Sequence, residues 1–376
     1  MRDWVIVAGG IRRAGGQDRA NLELARYLAT SGRRRLILVA NRVDPEVRGF
    51  PNTSVRVVAP PLGSNALGEI LLRRVAASFR TRLSPGSVVL ANGGNFSSSG
   101  ASWIHCVHAV WEPRDEGAPL HRRLMAHAKK RRARAHEREA LRDARVLVAN
   151  SRKTARDLED RLGVPANKIV VVYFGADATT HRRPAEQRFR IGFIGALGWD
   201  RNKGLDTALR AFHLARQTID PRYRLVVAGG GTSGPWIDQA RRLGIAERVD
   251  FVGFVDDIPA FLDSIDVLVS PVRYEAYGLA VQEALVQGVP ALVSQSAGVA
   301  ERMESVPRFL VPDTEEPWAW SSRLVETIEN LPVAQAAAGV VGRELSERSW
   351  ADMAEEIASV LEARLPASAV STETRR

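Results

Sequence analysis

The chain has 376 residues, 45% hydrophobic and 26% charged, an ordinary globular composition that excludes a disordered or fibrous protein and suggests two domains. Its single cysteine, Cys106, excludes an intrachain disulfide and a Cys-rich zinc site, and no apolar stretch approaches the ~20 residues that span a bilayer. The net charge of +10 is uneven: residues 1–180 hold 31 Lys and Arg against 16 Asp and Glu, and residues 181–376 hold 22 against 27.

The opening residues, Met-Arg-Asp-Trp-Val-Ile-Val-Ala-Gly-Gly, read as a buried strand entering a glycine turn. They lack the apolar core and cleavage site of a signal peptide, so a cytoplasmic protein is expected. Further strands are predicted at 35–40, 55–58, 87–91, 103–107, 145–149 and 169–173, after the first at 4–8. A second series follows at 190–194, 224–228, 249–253, 266–270, 290–293 and 309–311. Helical periodicity is clearest at 18–31, 122–143, 203–217, 235–243, 279–287, 318–330 and 349–364. Continuous Val, Ile and Leu runs separated by helices indicate parallel strands covered on both faces. The pattern starts twice, and the polar, proline-containing stretch 178–188 between the halves reads as a linker. The expected fold is therefore α/β, with two Rossmann-like doubly wound domains.

Residues 121–145 carry 10 Lys and Arg against 3 Asp and Glu. As a helix, the segment is basic around most of its circumference, with a thin seam of Leu124, Ala128, Ala135 and Leu141. Such a helix fits peripheral contact with anionic lipid headgroups, at ~1 kcal/mol per cation near the surface. It fits equally a solvated face in an arginine-rich protein, since Arg outnumbers Lys 48 to 5. Nucleic acid is disfavoured, because no reader motif or stacking platform accompanies the charge.

The most specific segment is 270–301, SPVRYEAYGLAVQEALVQGVPALVSQSAGVAE. Glu275 and Glu283 are eight apart, with Gly278 opening an apolar helix. In a fully helical span the two carboxylates would stand ~12 Å apart along the axis, a separation suited to two hydroxyl-bearing rings flanking a diphosphate. Free N–H groups at Gly278 and Leu279 would face anionic oxygens at the positive end of the helix dipole. Upstream, IGFIGALGWDRNKG (191–204) sets Arg201 and Lys203 beside another helix start. Two lone carboxylates near a helix start are commonly plain surface acids favoured by the dipole; the surrounding pattern sets these apart.

Taken together, Glu275-x7-Glu283, the Gly-x-Pro after it, the Ala-Gly-x-x-Glu ending at Glu301 and the strand–Gly–Lys-Gly element resemble family 4 glycosyltransferases of GT-B fold. RAGGQDRANLELARYLATSG (13–32), VLVANSRKTARDLEDRLGVPANKIVVVYFGAD (146–177) and RSWADMAEEIASVLEARL (348–365) are similar to that family's first glycine loop, pre-hinge segment and final helix. The resemblance implies an N-terminal acceptor-binding domain over 1–180 and a C-terminal nucleotide-sugar domain over 189–345, facing across a cleft. It further implies a helix at 346–365 returning to the first domain, and a tail at 366–376.

The implied chemistry is retaining transfer of a sugar from a nucleotide diphosphate donor to a glycan or lipid-linked acceptor, without cofactor. No Asp-x-Asp metal signature is present in the sequence, and fixed cations would stabilise the departing diphosphate. By resemblance, Lys203 meets the phosphates and Glu283 the ribose hydroxyls. Glu275 meets the transferred sugar, assisted by backbone at Gly195, Tyr277, Gly278 and Leu279. The family's arginine after the strand glycine is replaced by Ala196, and Arg201 is the candidate substitute. His108 is the family-like histidine approaching the sugar, and strand alternation sets His105 on the opposite face. Gly15 and Gly16 would let the backbone approach the diphosphate. Rival readings are an inverting hexosyltransferase, a sugar-nucleotide epimerase, or a catalytically weak nucleotide-sugar- or nucleic-acid-binding protein.

Overall fold

The computed structural model describes residues 2–365 except 14, 33, 80–85, 116, 178–186, 313 and 314. The tail at 366–376 and most of the linker at 178–188 therefore lie outside the described residues. The chain divides into two compact units: one of Met1–Val110, Lys130–Gly175 and Ser349–Arg376, the other of Trp111–Lys129 and Ala176–Arg348.

The first unit is built on seven parallel strands: β1 (Arg2–Ile11), β2 (Arg34–Val43), β3 (Thr53–Val57), β4 (Val88–Asn92), β5 (Ala101–Ile104), β6 (Val146–Ala149) and β7 (Ile169–Val171). They run in the order β3-β2-β1-β4-β5-β6-β7. Helices α1 (Gly16–Thr30), α2 (Asn65–Phe79), α3 (Leu120–Asp143) and α4 (Arg152–Leu162) connect them. The hydrophobic run of β1 serves two faces at once. Val5 and Val7 join Ile37, Val39, Leu72 and Phe96 in a cluster on the α2 side, while alternate Trp4 and Ile6 are fully buried on the opposite face.

The second unit has six parallel strands: β8 (Arg190–Ile194), β9 (Arg224–Ala228), β10 (Val249–Gly253), β11 (Val267–Ser270), β12 (Ala291–Ser294) and β13 (Leu310–Val311), ordered β10-β9-β8-β11-β12-β13. Its helices are α5 (Leu205–Ala215), α6 (Gly234–Arg242), α7 (Ile258–Asp263), α8 (Leu279–Val286), α9 (Pro317–Glu329) and α10 (Leu331–Ser346). Asp266, fully buried ahead of β11, accepts the N–H groups of Arg188 and Arg190 and so fixes the entry into β8.

The last helix, α11 (Trp350–Arg364), groups with the first unit. It opens on a capping box in which Ser349 and Asp352 satisfy each other's backbone N–H groups. Glu362 accepts bonds from the Trp4 indole at 3.0 Å and from Arg34 at 2.7 Å, tying α11 to β1 and β2.

Two expectations are corrected. The seam assigned to the basic helix is not its packing face: Leu124, Ala128 and Ala135 are exposed, and Leu141 alone of the four is buried. The buried stripe runs instead through Lys130, Glu137, Ala140 and Leu141, whose spacing of three and four traces one helical face. Among the described residues no helix is long and apolar enough to cross a membrane. The strand bearing the histidines ends at Ile104, before His105, so strand alternation does not order His105 and His108.

His105 is a packing residue. Its ring lies 4.7 Å from Trp103 and stacks on Phe174 at 5.8 Å, and Phe174 in turn meets Trp350 at 6.1 Å. Asn92 lies 3.1 Å from Nε2, while Nδ1 is shut off from solvent without a partner. Burial disfavours the charged ring and pushes its pKa down to about 3. An exposed imidazole titrates near ~6.5, so as pH falls the unfolded chain takes up this proton first. The stability involved is complete above ~6.5 and is lost toward pH 3, at up to ~1.4 kcal/mol per pH unit. His105→Phe should flatten the pH slope of the unfolding free energy between about pH 6 and pH 4 by nearly one proton. A slope equal to that of the unmodified protein in urea titrations would contradict a buried neutral imidazole.

Candidate functional site

In the second sheet β8 continues to β9 on one side and has β11 on the other. Loops leaving β8 and β11 therefore part in opposite directions, opening a crevice at the carboxyl ends of the strands, where open α/β sheets bind ligands. Residues 195–204 leave β8 and residues 271–278 leave β11.

The two loops are stitched together. Gly204 has φ 76, and a Cβ there would stand 1.8 Å from the Pro271 carbonyl oxygen, so only glycine allows this approach. Asn202 donates its side-chain amide to the Tyr274 carbonyl at 2.9 Å, and the Arg273 N–H donates to the Asn202 carbonyl at 2.8 Å. Arg273 forks onto the buried Asp206 carboxylate with two bonds of 2.9 Å, adds Glu315 at 2.9 Å and reaches the Arg201 carbonyl. Burial alone would lower the Arg273 pKa, but hydrogen bonds to Glu315 and Asp206 outweigh it and hold the guanidinium above its ordinary value.

On this frame Lys203 and Glu275 form an ion pair, both half-buried. Gly195 lies beneath the lysine: a Cβ at 195 would meet the Lys203 Cβ at 3.0 Å. Gly278, in the left-handed region with φ 111, starts α8 without any side-chain cap. The first N–H groups of α8, Leu279 among them, thus form an anion-receptive end. Gly298 and Val299 donate to the carbonyls of Glu275 (3.2 Å) and Tyr277 (2.7 Å), fixing the loop from the side. The Tyr277 hydroxyl donates to Gln282 within the core, so this residue offers backbone rather than side chain. Glu283 is half-buried one turn into α8, on the face of Leu279. Only Leu279–Val286 is helical, so the separation inferred from an unbroken helix between Glu275 and Glu283 does not apply. Glu275 sits in the loop, and its place is set by Lys203 and Gly298.

Arg201 and Lys203 share one 3₁₀ turn, Arg201–Lys203. Two residues apart at three per turn, their side chains leave in directions ~120° apart. Arg201 lines a separate cavity with Trp199 and Trp236.

In the first unit, Gly15 (φ 90) caps α1 without a side-chain bond, and Gly16 begins that helix. His108 follows β5 and is held by a buried acid. Glu137 of α3 accepts the N–H groups of His108 (2.8 Å) and Ala109 (3.1 Å) and stands 3.3 Å from the His108 Nδ1. Arg134 donates to the carbonyls of the same two residues at 3.0 and 2.9 Å. Among the described residues no three His, Cys, Asp or Glu side chains converge as a metal cluster. Sequence reasoning missed Asp206, Arg273, Glu137 and Arg134. Their partners lie 67, 29 and 26 residues away, and no local pattern marks such pairs.

Residues 14–180 match the family model described as Glycosyltransferase Family 4, and residues 188–330 match Glycosyl transferases group 1. A glycogen synthase of Mycobacterium tuberculosis is 30% identical over 205 residues, 53% of this chain and 47% of that one. The chain spans about half the length of the curated relatives it matches. Among solved structures, WaaG, a glycosyltransferase involved in lipopolysaccharide biosynthesis, superposes with TM-score 0.74 at 15% identity, over 96% of this chain and 99% of that one. Anabaena HepE, in complex with UDP and glucose, does so with TM-score 0.68 at 20% identity, over 96% and 100%. The chain belongs to the family 4 glycosyltransferases and has their GT-B fold of two Rossmann-like parallel-sheet domains.

The loop frame is testable without a ligand. Gly204→Ala would force both a left-handed alanine and an overlap with the Pro271 carbonyl, and should cost at least ~2 kcal/mol in denaturant unfolding. Gly198→Ala, where a Cβ meets nothing within 4 Å, should stay within ~0.5 kcal/mol. Equal stability of the two variants would contradict the close approach.

Proposed function

We propose that this family 4 member transfers a hexose from a nucleotide diphosphate sugar to a hydroxyl of a glycan or lipid-linked acceptor, with retention of configuration and no metal, and that the nucleotide is UDP. The observation that carries the reading is the Lys203–Glu275 pair beside the uncapped start of α8. HepE, of the same fold, binds UDP and glucose.

Breaking the bond between the anomeric carbon and the donor phosphate oxygen leaves both bonding electrons on the diphosphate. The Lys203 ammonium and the N–H groups at Leu279 stand ready for that charge, without reorganisation at the moment of reaction. Without donor, Lys203 and Glu275 neutralise each other. An arriving diphosphate takes the lysine, and Glu275 is released to accept hydrogen bonds from the transferred sugar. Glu283 accepts from the ribose hydroxyls. The acceptor oxygen attacks from the face the diphosphate leaves, and a phosphate oxygen takes its proton. His108, oriented by Glu137, is the first unit's contribution to sugar recognition, with the Gly15–Gly16 turn as a close-approach backbone.

A lipid-linked acceptor is supported by the start of α3. Leu120, Leu124 and Met125 are 68%, 63% and 66% exposed on a helix that also carries Arg122, Arg123 and Lys129. Apolar side chains among cations suit a surface of anionic lipid.

Lys203→Ala should lower kcat by ~10²–10³ while changing unfolding free energy by less than ~1 kcal/mol, since the pair is partly exposed. Glu283→Ala should weaken UDP binding ~10-fold, about 1.4 kcal/mol. Normal turnover in the first variant or normal affinity in the second would remove the assigned role. Leu124→Asp with Met125→Asp should abolish co-sedimentation with anionic vesicles, and undiminished binding would rule out contact through this surface.

A further inference from the structure

A second recognition site lies in the same unit, beside the loop that carries Lys203. The β8 loop, α6 and Gly117 border a half-open cavity of about 250 Å³, whose side chains include Trp199, Arg201, Trp236, Asp238, Gln239 and Arg242. Drug-sized pockets occupy ~300–1,000 Å³, so this cavity suits a single monosaccharide unit.

Its walls are fixed by bonds that leave specific groups unspent. The Trp236 indole is buried and donates to the Gly198 carbonyl at 3.1 Å, pinning the loop tip on α6. Leu197 and Gly231 bridge behind it. A Cβ at 231 would lie 1.5 Å from the Leu197 carbonyl oxygen, so the turn before α6 reaches the loop only through glycine. Asp200 bonds the N–H groups of Asn202 and Arg114, and Arg201 donates its own N–H to the Arg114 carbonyl at 2.8 Å, setting the base of the Arg201 side chain. Gln239 commits its Nε2 to the Asp206 carbonyl at 3.3 Å, which leaves Oε1 as an acceptor. Asp238 is balanced by Arg241 at 3.0 Å. Neither Arg201 nor Arg242 has a carboxylate partner among the described residues. The cavity thus presents two guanidinium groups without a carboxylate ion-pair partner among the described residues, a half-exposed indole at Trp199, and hydrogen-bonding groups at Gln239 and Asp238.

Each feature answers one part of an acidic sugar. The apolar C–H face of a pyranose packs on an indole, its hydroxyls bond to an amide oxygen and a carboxylate, and guanidinium groups take a carboxylate or phosphate in forked geometry. We infer that this cavity binds an anionic monosaccharide unit, a uronate or a phosphorylated sugar. This binding stands independently of the proposed transferase reading.

The experiment is titration of the full chain with glucuronate, glucose 6-phosphate, glucose, inorganic phosphate and UDP, followed by ligand-observed NMR, on unmodified protein and Arg242→Gln. Arg242 is exposed, so its substitution leaves the fold intact. At least one of the two acidic sugars should bind at least ~10-fold tighter than glucose and than inorganic phosphate, and the stronger of the two identifies the anion. Arg242→Gln should erase that preference and leave UDP affinity unchanged. Glucose binding as tightly as the acidic sugars, or no sugar binding at all, would overturn the inference. Phosphate binding equally well would make the cavity a plain anion site, and weaker UDP binding in Arg242→Gln would make it part of the donor site; either overturns it. Acidic-sugar binding without any UDP binding would sustain the cavity and sink the UDP-donor reading separately.

Discussion

Two adjacent parallel strands, β8 and β11, send their loops in opposite directions, and the functional site depends on how that divergence is bridged. Arg273 bridges it. Its guanidinium forks onto Asp206, reaches Glu315 and caps the Arg201 carbonyl, so one side chain from the β11 loop ties together the β8 loop, the first turn of α5 and the segment before α9. A buried charge pair is weak evidence for stability, because desolvation offsets much of the attraction. It is stronger evidence for geometry, since a forked pair has only one good arrangement. That arrangement, with the Gly204–Pro271 contact, sets Lys203 against Glu275 and places both beside the bare start of α8.

Much of the architecture was legible in the sequence because both sheets are parallel. Strands buried on two faces become continuous Val, Ile and Leu runs, so each of the thirteen strands among the described residues lies close to such a run. Helices α2, α4, α7 and α10 were not among the clear periodic stretches. α7 spans only six residues, and α10 is rich in alanine, which fits either face of a helix and blurs its period. The glycines at 195, 204 and 278 lie in the loops, but a left-handed Gly278 also breaks the helical spacing from which a Glu275–Glu283 separation follows. The Arg273–Asp206 tie could not be read: two residues 67 apart carry no periodic signature, and the fold alone brings them together.

The strong positive charge of the first half has more than one origin. Several arginines there are spent inside the structure: Arg12 on Asp18, Arg73 on Glu139, Arg132 on Glu69, and Arg134 on the carbonyls beside His108. Within α3 the same helix that reads as uniformly basic contributes a buried acid, Glu137, as the anchor of the histidine loop. The exposed apolar side chains lie at the opposite end, at Leu120, Leu124 and Met125. One helix thus combines a structural half and a surface half, a division that charge counting conceals and burial reveals.

The central claim is that donor diphosphate displaces Glu275 from Lys203. UDP carries the diphosphate but no sugar, so its affinity isolates that exchange. Calorimetric titration of UDP into unmodified protein, Glu275→Gln and Lys203→Met tests it directly. The account predicts equal or tighter binding in Glu275→Gln, where the lysine no longer has to leave a carboxylate, and binding at least ~10-fold weaker in Lys203→Met. Undiminished UDP affinity in Lys203→Met, or loss of affinity in Glu275→Gln comparable to that of the lysine variant, would contradict it.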